Sequence, residues 1–572
     1  MLALALLALT APWTNIPGAS ADGAGMLAHL HGLFEGRDLL YDDEYAALRM
    51  SPLFAFVTER GVVSNHWPFG ASFLQAPGWL LGRGAGALLV GEGISQRAAD
   101  WTIPLLGLRC WALLCLAWLL WRVHLWLGTR GCGPWTRALT VLGLLLGTPL
   151  LYYAAEAPQR PHLWGACVVA MLVMHWFDAV DEPAAPPATG GVSALLRLET
   201  LRVPATLAAL AGLAAAIRPQ LAPLCLLVAH ERVVATAALD TRRRLTILGV
   251  HGLVTALIWA LWPLLILRLQ LWMYGDLGDY TSQAELTMHL RAFLLSTHHG
   301  ALVWCPVLVL GLLGLAIGAA SRGRGALLLA ALVALQFWLD AGTREIEPFT
   351  VLGTRTWTGG TAFGPRKFVD ALPLLLPGVI WIERWLAAQS EGAPEKGETD
   401  KKSEVDVPRW RRRLAAVAVL AVLPTSALLL AAWIDPHVTS EVIDGERLSL
   451  AMALPFDGGA WSLAFAARTL PAKVGLTVAG CVGVPGLALL VLAQRGGSRY
   501  RAVLPAALVA LGLLAHLWLG VLQKRSEAML TADPARMSAA AAGMNPWHRE
   551  MVSAIPRHHR VLRERLGDDA VD

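Results

Sequence analysis

Four carboxylates crowd one stretch of an otherwise apolar chain. Asp22, Asp42, Asp43 and Glu44 lie between Ala19 and Gly82, followed by a His66-Trp67-Pro68 turn and a half-apolar segment, 69–90, broken by Pro77, Arg83 and several glycines. A carboxylate set beside a hydroxyl can take its proton as that oxygen attacks an electrophile. Loop acids are more often merely solvated. Their density here, in a chain that is apolar almost everywhere else, is what marks them.

The elements that must position these acids are membrane helices. The chain has 572 residues, of which 56% are hydrophobic and 16% charged, well below the charged share of about 25% typical of soluble domains. Apolar runs of about 20 residues recur along it and read as transmembrane helices. The expected fold is therefore all-α: a polytopic membrane protein of about 13 spans, at 2–17, 99–121, 138–153, 161–178, 200–217, 219–236, 246–268, 301–319, 325–340, 369–388, 414–434, 472–493 and 502–522. A net charge of +5 gives no sign of nucleic-acid binding. The seven cysteines lie in or beside apolar runs without a CxxC pair, so they read as packing residues rather than a disulfide or zinc framework.

The positive-inside rule orders the spans. Loops at 122–137, 180–197, 240–244, 322–324, 391–413 and 495–501 alternate onto one side, and most are rich in Arg or Lys. The rule works only if 69–90 does not cross, so this segment is expected to lie in the interface as a juxtamembrane helix. Ala19-Ser20-Ala21 resembles a signal-peptidase site; a first helix that starts upstream of Met1 is equally compatible. Both readings put Asp22 outside. The expected domains are a catalytic membrane region, 1–390, with a first outer loop at 18–98; a charged cytoplasmic loop, 391–413; C-terminal helices, 414–522; and an outer tail, 523–572, with helices on the membrane surface.

This ordering collects the remaining polar residues on the outer side: His66; Tyr152, Tyr153, Glu156, Arg160 and His162; Arg218 and Gln220; His298 and His299; and Arg355, Arg366 and Lys367. Adjacent histidines point apart and have no third ligand at a suitable spacing, so no metal site is assigned. No cofactor is assigned either, a divalent metal being the weaker alternative.

The strings Ser20-Ala21-Asp22-Gly23, Leu33-Phe34-Glu35-Gly36-Arg37-Asp38-Leu39, Asp43-Glu44-Tyr45 and Asn65-His66-Trp67-Pro68-Phe69-Gly70 resemble the first outer loop of the GT-C membrane glycosyltransferases. They are nearest to bacterial members related to protein O-mannosyltransferases and the lipid A aminoarabinose transferase. Further matches are Tyr152-Tyr153-Ala154-Ala155-Glu156-Ala157-Pro158, Ile217-Arg218-Pro219-Gln220, Ser296-Thr297-His298-His299-Gly300 and Phe363-Gly364-Pro365-Arg366-Lys367-Phe368-Val369-Asp370. The resemblance covers about residues 1–390. Relatives often carry a second acid just before the Pro turn, where this chain has Asn65-His66.

The resemblance implies an inverting transferase that takes a sugar from a polyprenyl-phosphate donor and passes it to an envelope acceptor, with the lipid bilayer as its medium and no nucleic-acid partner. It implies Asp22 as the base, with Asp43 or Glu44 orienting it or the sugar. His66, Tyr153, Glu156, Arg218, Gln220, His299, Arg366 and Lys367 are the implied substrate contacts. Cations near the leaving phosphate stabilise it, Arg by bidentate contact. Against this stand a snorkelling helix-end role for Arg218 and interface anchoring for Arg366 and Lys367. A transporter of lipid-linked sugars and a non-catalytic family member are the rival readings.

Overall fold

The computed structural model describes residues 21–48, 57–58, 60–90, 96, 98–182, 198–275, 290–295, 300–342, 365–391, 417, 420–423, 425–426 and 497–533. Among these the fold is helical throughout, apart from one isolated antiparallel bridge between Val57 and Val63. Six helices are long and apolar enough to cross a membrane: Ala99–Thr129, His162–Asp181, Thr200–Ile217, Thr241–Tyr274, Arg366–Ala388 and Leu504–Ala532. The chain is a helical membrane protein by that measure. Its surface agrees: Leu253, Leu257, Leu264, Leu513, Leu514 and Leu517 are all exposed, an apolar face that water would not tolerate.

In order, the elements are α1 (Ala21–His31), α2 (Asp42–Leu48), α3 (Ser72–Leu89), α4 (Ile103–Thr129), α5 (Pro134–Leu146), α6 (Leu150–Ala155), α7 (His162–Asp181), α8 (Leu198–Ile217), α9 (Cys225–Ala235), α10 (Thr241–Tyr274), α11 (Leu290–Leu295), α12 (Ala301–Trp304), α13 (Leu308–Ala320), α14 (Ala326–Gly342), α15 (Leu376–Glu391) and α16 (Gly497–Ala532). Helix α8 is the central post. Its alanines are buried almost without exception, and Gly212 lets the Trp259 backbone of α10 approach so closely that a Cβ would overlap it.

Contacts between helix ends divide the molecule into two poles. At one, Arg130 after α4 pairs with Asp178, Asp181 and Glu182 at the end of α7. There Arg384 of α15 reaches Asp181 at 2.8 Å, and Arg324, between α13 and α14, donates to the Val180 carbonyl at 3.4 Å. These are the loops that the distribution of Arg and Lys assigns to one side. The opposite pole gathers α1, the turn at 156–162, Arg218, the end of α14 and residues 365–370.

Several expected spans differ. Spans 2–17 and 472–493 lie outside the described residues, as do two thirds of 414–434. The run 138–153 is two helices, α5 and α6, parted at Gly147-Thr148-Pro149. The run 219–236 opens as a 3-10 helix, Pro219–Leu224, before α9. The run 301–319 breaks at Cys305-Pro306-Val307 between α12 and α13. A proline stands at each break, removing a backbone donor and disfavouring the helical conformation of the residue before it.

The segment 69–90 folds as one helix packed on the next. Its helix, α3, runs antiparallel to the start of α4, with Gly78 against Gly107 and Trp111, Gly82 against Ile103 and Pro104, and Gly86 against Ala99. Three glycines four residues apart let the backbones touch, the small-residue stripe that drives close helix pairing. The helical stretch Ala99–Thr129 has 31 residues, about 46 Å at ~1.5 Å per residue, against a hydrocarbon core of about 30 Å. It is longer than that layer requires, and α3 packs along its beginning. The tail boundary at 522 is also overrun. Helix α16 continues to Ala532, anchored by Gln523 to Arg268 at 3.0 Å, Glu527 to Trp272 at 3.1 Å, and Ser526 to the Leu39 amide at 2.9 Å.

Candidate functional site

Helix α1 carries Asp22 in its first turn, and three buried contacts fix it. His29 is fully enclosed; its Nε2 donates to the Trp67 carbonyl at 2.7 Å, and its Nδ1 accepts from the Tyr41 hydroxyl at 2.8 Å. Burial pushes the imidazole down to about 3, against the Trp67 carbonyl and helped by His66, so it stays neutral and keeps this tautomer. Asn65 Nδ2 donates to the Gly25 carbonyl at 2.9 Å. Gly25 lies under the Trp67 ring, where any Cβ would collide with it. The His66 ring rests against Trp67, centroid to centroid 3.8 Å. The side chain of Asp22 is outside the described ones. Its neighbour Gly23 faces Gln159, with a Cβ position 2.9 Å from Nε2.

Gln159 opens the polar pole. Gln75 of α3 donates to the Gln159 carbonyl at 2.8 Å, which ties α3 to the turn between α6 and α7. This turn holds Glu156, Arg160 and His162, and Tyr153 lies against His162 with ring centroids 4.4 Å apart. Gly70 presses on the backbone of Ala216 and Ile217, one residue before Arg218. Pro219 forces Arg218 into an extended conformation, φ −148° and ψ 116°, which ends α8 and turns the guanidinium inward.

The surroundings of Arg218 are the densest polar contacts at this pole. Its Nη1 is ion-paired with Asp370 Oδ2 and lies 2.9 Å from His162 Nδ1. It also donates to the carbonyls of Arg366 and Lys367 at 3.4 and 3.2 Å. With its amide oxygen turned toward the guanidinium, Gln220 accepts from Nε at 3.0 Å and from Nη2. Gln336 on α14 donates to the Gln220 carbonyl at 2.8 Å, and one turn on, Asp340 is buried within range of the charges of Arg218, Lys367 and Asp370. A guanidinium only donates, so His162 Nδ1 accepts and its proton sits on Nε2. Tyr153, Arg218, Gln220, Arg366 and Lys367 are thus brought together, with Glu156 on the adjoining turn and α1 presenting its N-terminal end to the same pole. His299 and Arg355 lie outside the described residues.

As the structure stands, both edges of the Arg218 guanidinium are engaged by the protein. A bidentate grip on phosphate needs two parallel N–H groups of one edge. Here the Nε–Nη2 edge is taken by Gln220, and Nη1 by Asp370, His162 and two carbonyls. Arg218 holds the 365–370 turn, and the half-buried Arg366 and Lys367 are the cations that this turn presents.

Glu44 is elsewhere. Nine residues separate Asp22 from His31, about 13 Å along α1, and Glu44 lies at the His31 end, its Oε1 2.8 Å from His31 Nδ1. A π-helical turn, Gly32–Gly36, continues from there. Its Glu35 accepts from Trp79 and pairs with Arg83 at 2.7 Å, and Arg83 also pairs with Asp100. His31 stacks on Trp101 at 4.9 Å. Asp43 is exposed on α2. Glu44 therefore lies beside the end of α1 opposite to the one that carries position 22.

The second cluster titrates near neutrality. Burial pushes the Glu44 carboxyl up from 4.5 to about 8, the His31 contact opposing and Asp43 adding to it. Burial also opposes charge on His31, but Glu44, Glu35 and Asp43 outweigh it and raise the imidazole. Both shifts make the folded state hold protons more tightly than the unfolded chain. This contribution to stability is complete below about pH 4.5 and is lost as pH rises through about 8. Glu44→Gln keeps an oxygen for His31 without the titration. Its melting temperature should fall less than that of the native protein between about pH 5 and about pH 8.5, and parallel profiles would refute the assignment.

His29, Asp340 and Gln336 are not marked by type and spacing, while Asn65 opens one matched string and Asp370 closes another without a role assigned to either. Among the described residues, no cluster of three or more His, Cys, Asp or Glu side chains is arranged to hold a metal ion. Compared with known protein families, with curated proteins and with solved structures, the chain matches none.

Proposed function

We propose that the protein is an inverting membrane glycosyltransferase that moves a sugar from a polyprenyl-phosphate donor to an envelope acceptor (lipid, glycan or protein) on the outer face of a bacterial inner membrane. The observation that carries this reading is one short helix that begins with two cations and lines an apolar groove with its far end. Arg366 and Lys367 begin a 3-10 helix, Arg366–Leu375, whose Leu372 and Leu375 line a groove that continues between α5, α13 and α15 past Leu139, Leu308 and Val379. A long apolar chain ending in one phosphate divides its chemistry in the same way. The matched strings supply the reaction, and the two-pole arrangement favours the span order of the thirteen-helix topology.

In this mechanism the acceptor oxygen loses its proton to Asp22 as it attacks the anomeric carbon. Arg366 and Lys367 offset the charge of the departing lipid phosphate at the opposite side of that carbon, which gives inversion by single displacement. This reading assigns Tyr153, Glu156, Gln220 and His66 to the remaining substrate contacts. The direct test is transfer by the purified protein in lipid from a labelled polyprenyl-phosphate sugar, with envelope glycans from a strain lacking the protein analysed by mass spectrometry to name the product. Absence of transfer together with unchanged glycans would sink the reading.

Sidedness has its own test. A cysteine at Ser95 should react with an impermeant thiol reagent added outside, and one at Thr129 only after the membrane is opened. Labelling of Ser95→Cys from the cytoplasm alone would overturn the topology.

A further inference from the structure

Asp370 is a buried carboxylate that is only half satisfied. Its Oδ2 meets Arg218 and lies 3.3 Å from His162 Nδ1. Its Oδ1 is enclosed without a hydrogen-bond partner. The room it occupies exists because residue 165 of α7 is glycine, where any Cβ would overlap Oδ1. A buried charged group usually satisfies both of its oxygens, and an orphaned one signals an arrangement kept for something other than stability.

The cation it holds is the anchor of the turn that bears Arg366 and Lys367. With Asp370 in place, Nη1 of Arg218 is withheld from any anion entering beside those two side chains. Resting on the glycosyltransferase reading for the nature of that anion, we propose that Asp370 is an internal counter-ion, occupying on Arg218 the position that the phosphate of a lipid substrate takes when it binds. The ligand chemistry is a singly charged phosphodiester at the end of an apolar chain. When it arrives, Nη1 exchanges the half-satisfied carboxylate for the phosphate oxygen, while Gln220 keeps the other edge of the guanidinium fixed. The internal pairing keeps the empty site from holding bulk anions and sets a threshold that only a ligand also filling the apolar groove can overcome. Formally, the site is competent only for the fraction of time that Arg218 is released, and the observed affinity is reduced by that fraction.

The test uses the full chain in lipid nanodiscs and a farnesyl methyl phosphodiester, whose single charge does not titrate near neutrality. Asp370→Asn removes the competing charge and keeps the shape. It should bind this probe roughly three- to tenfold more tightly than the native protein. Equal or weaker binding by a variant that melts normally would make Asp370 a simple positioning residue and overturn the proposal. A second readout needs no variant: in native protein labelled with carbon-13 aspartate, saturation with the probe should shift a carboxylate band in the infrared difference spectrum. An unchanged band overturns the proposal even if Asp370→Asn does not fold. Native protein that binds no probe at all defeats the lipid-phosphate reading as well; binding without the Asp370→Asn gain defeats the counter-ion alone.

Discussion

Asp22→Asn should keep its fold and lose sugar transfer by about 10²–10⁴, the usual contribution of a general base, while Glu44→Gln stays within about tenfold of the native rate. The resemblance implies Asp22 as the base and Asp43 or Glu44 as its orienting partner, and Glu44 lies at the far end of α1. Asp22 heads α1 next to Gly23, which faces Gln159, and the same pole holds Arg366 and Lys367. Glu44 lies at the other end of the helix, hydrogen-bonded to His31, and burial makes its carboxyl harder to ionise. A carboxyl about 13 Å along the axis is too far to serve an oxygen beside position 22. Asn at position 22 preserves shape without proton affinity, so binding of the lipid donor should survive where turnover does not. Measured transfer that persists in Asp22→Asn and vanishes in Glu44→Gln would move the reaction to the His31 cluster. Loss in neither variant would remove the transferase reading.

How much of this was legible in advance depends on the range of the signal. The long apolar runs that became α4, α7, α8 and α10 are local, and they appear close to where hydropathy draws them. The breaks at Pro149, Pro219 and Pro306 had visible signals, but a proline within an apolar run reads equally as a kink, and only packing decides. The stance of α3 was encoded in Gly78, Gly82 and Gly86; Pro77 and Arg83 drew attention instead to its weakness as a span. Glycine spacing predicts a close partner without naming α4. At the site, Arg218, Arg366 and Lys367 were found by type, and their meeting is real, but the order of roles among them was not visible. That order comes from Gln220 and Asp370, 150 residues apart in the chain, and no local pattern links them. His29 was missed for the same reason: a lone histidine in an apolar helix has nothing to distinguish it until Tyr41 and the Trp67 carbonyl appear at its two nitrogens.

Arg218→Ala should be far more damaging to the fold than a ligand-binding residue would be, and Asp370→Asn should partly rescue it. The guanidinium is bonded to residues of α7, the 3-10 turn after α8, and the 365–370 turn. Deleting it leaves the Asp370 carboxylate buried at 0% exposure without its cation. Breaking a buried pair from one side typically costs about 3–5 kcal/mol, because a charge is stranded rather than because the pair itself is strong. The double variant Arg218→Ala/Asp370→Asn strands no charge, so it should recover at least half of that loss, with a coupling energy within the range of about 0.5–3 kcal/mol found for residues in direct contact. Reversible unfolding in detergent, or melting temperatures where unfolding is irreversible, gives the four corners of the cycle. Additive losses would mean that the two side chains do not depend on each other. An Arg218→Ala variant as stable as the native protein would mean that the guanidinium does not hold the 365–370 turn.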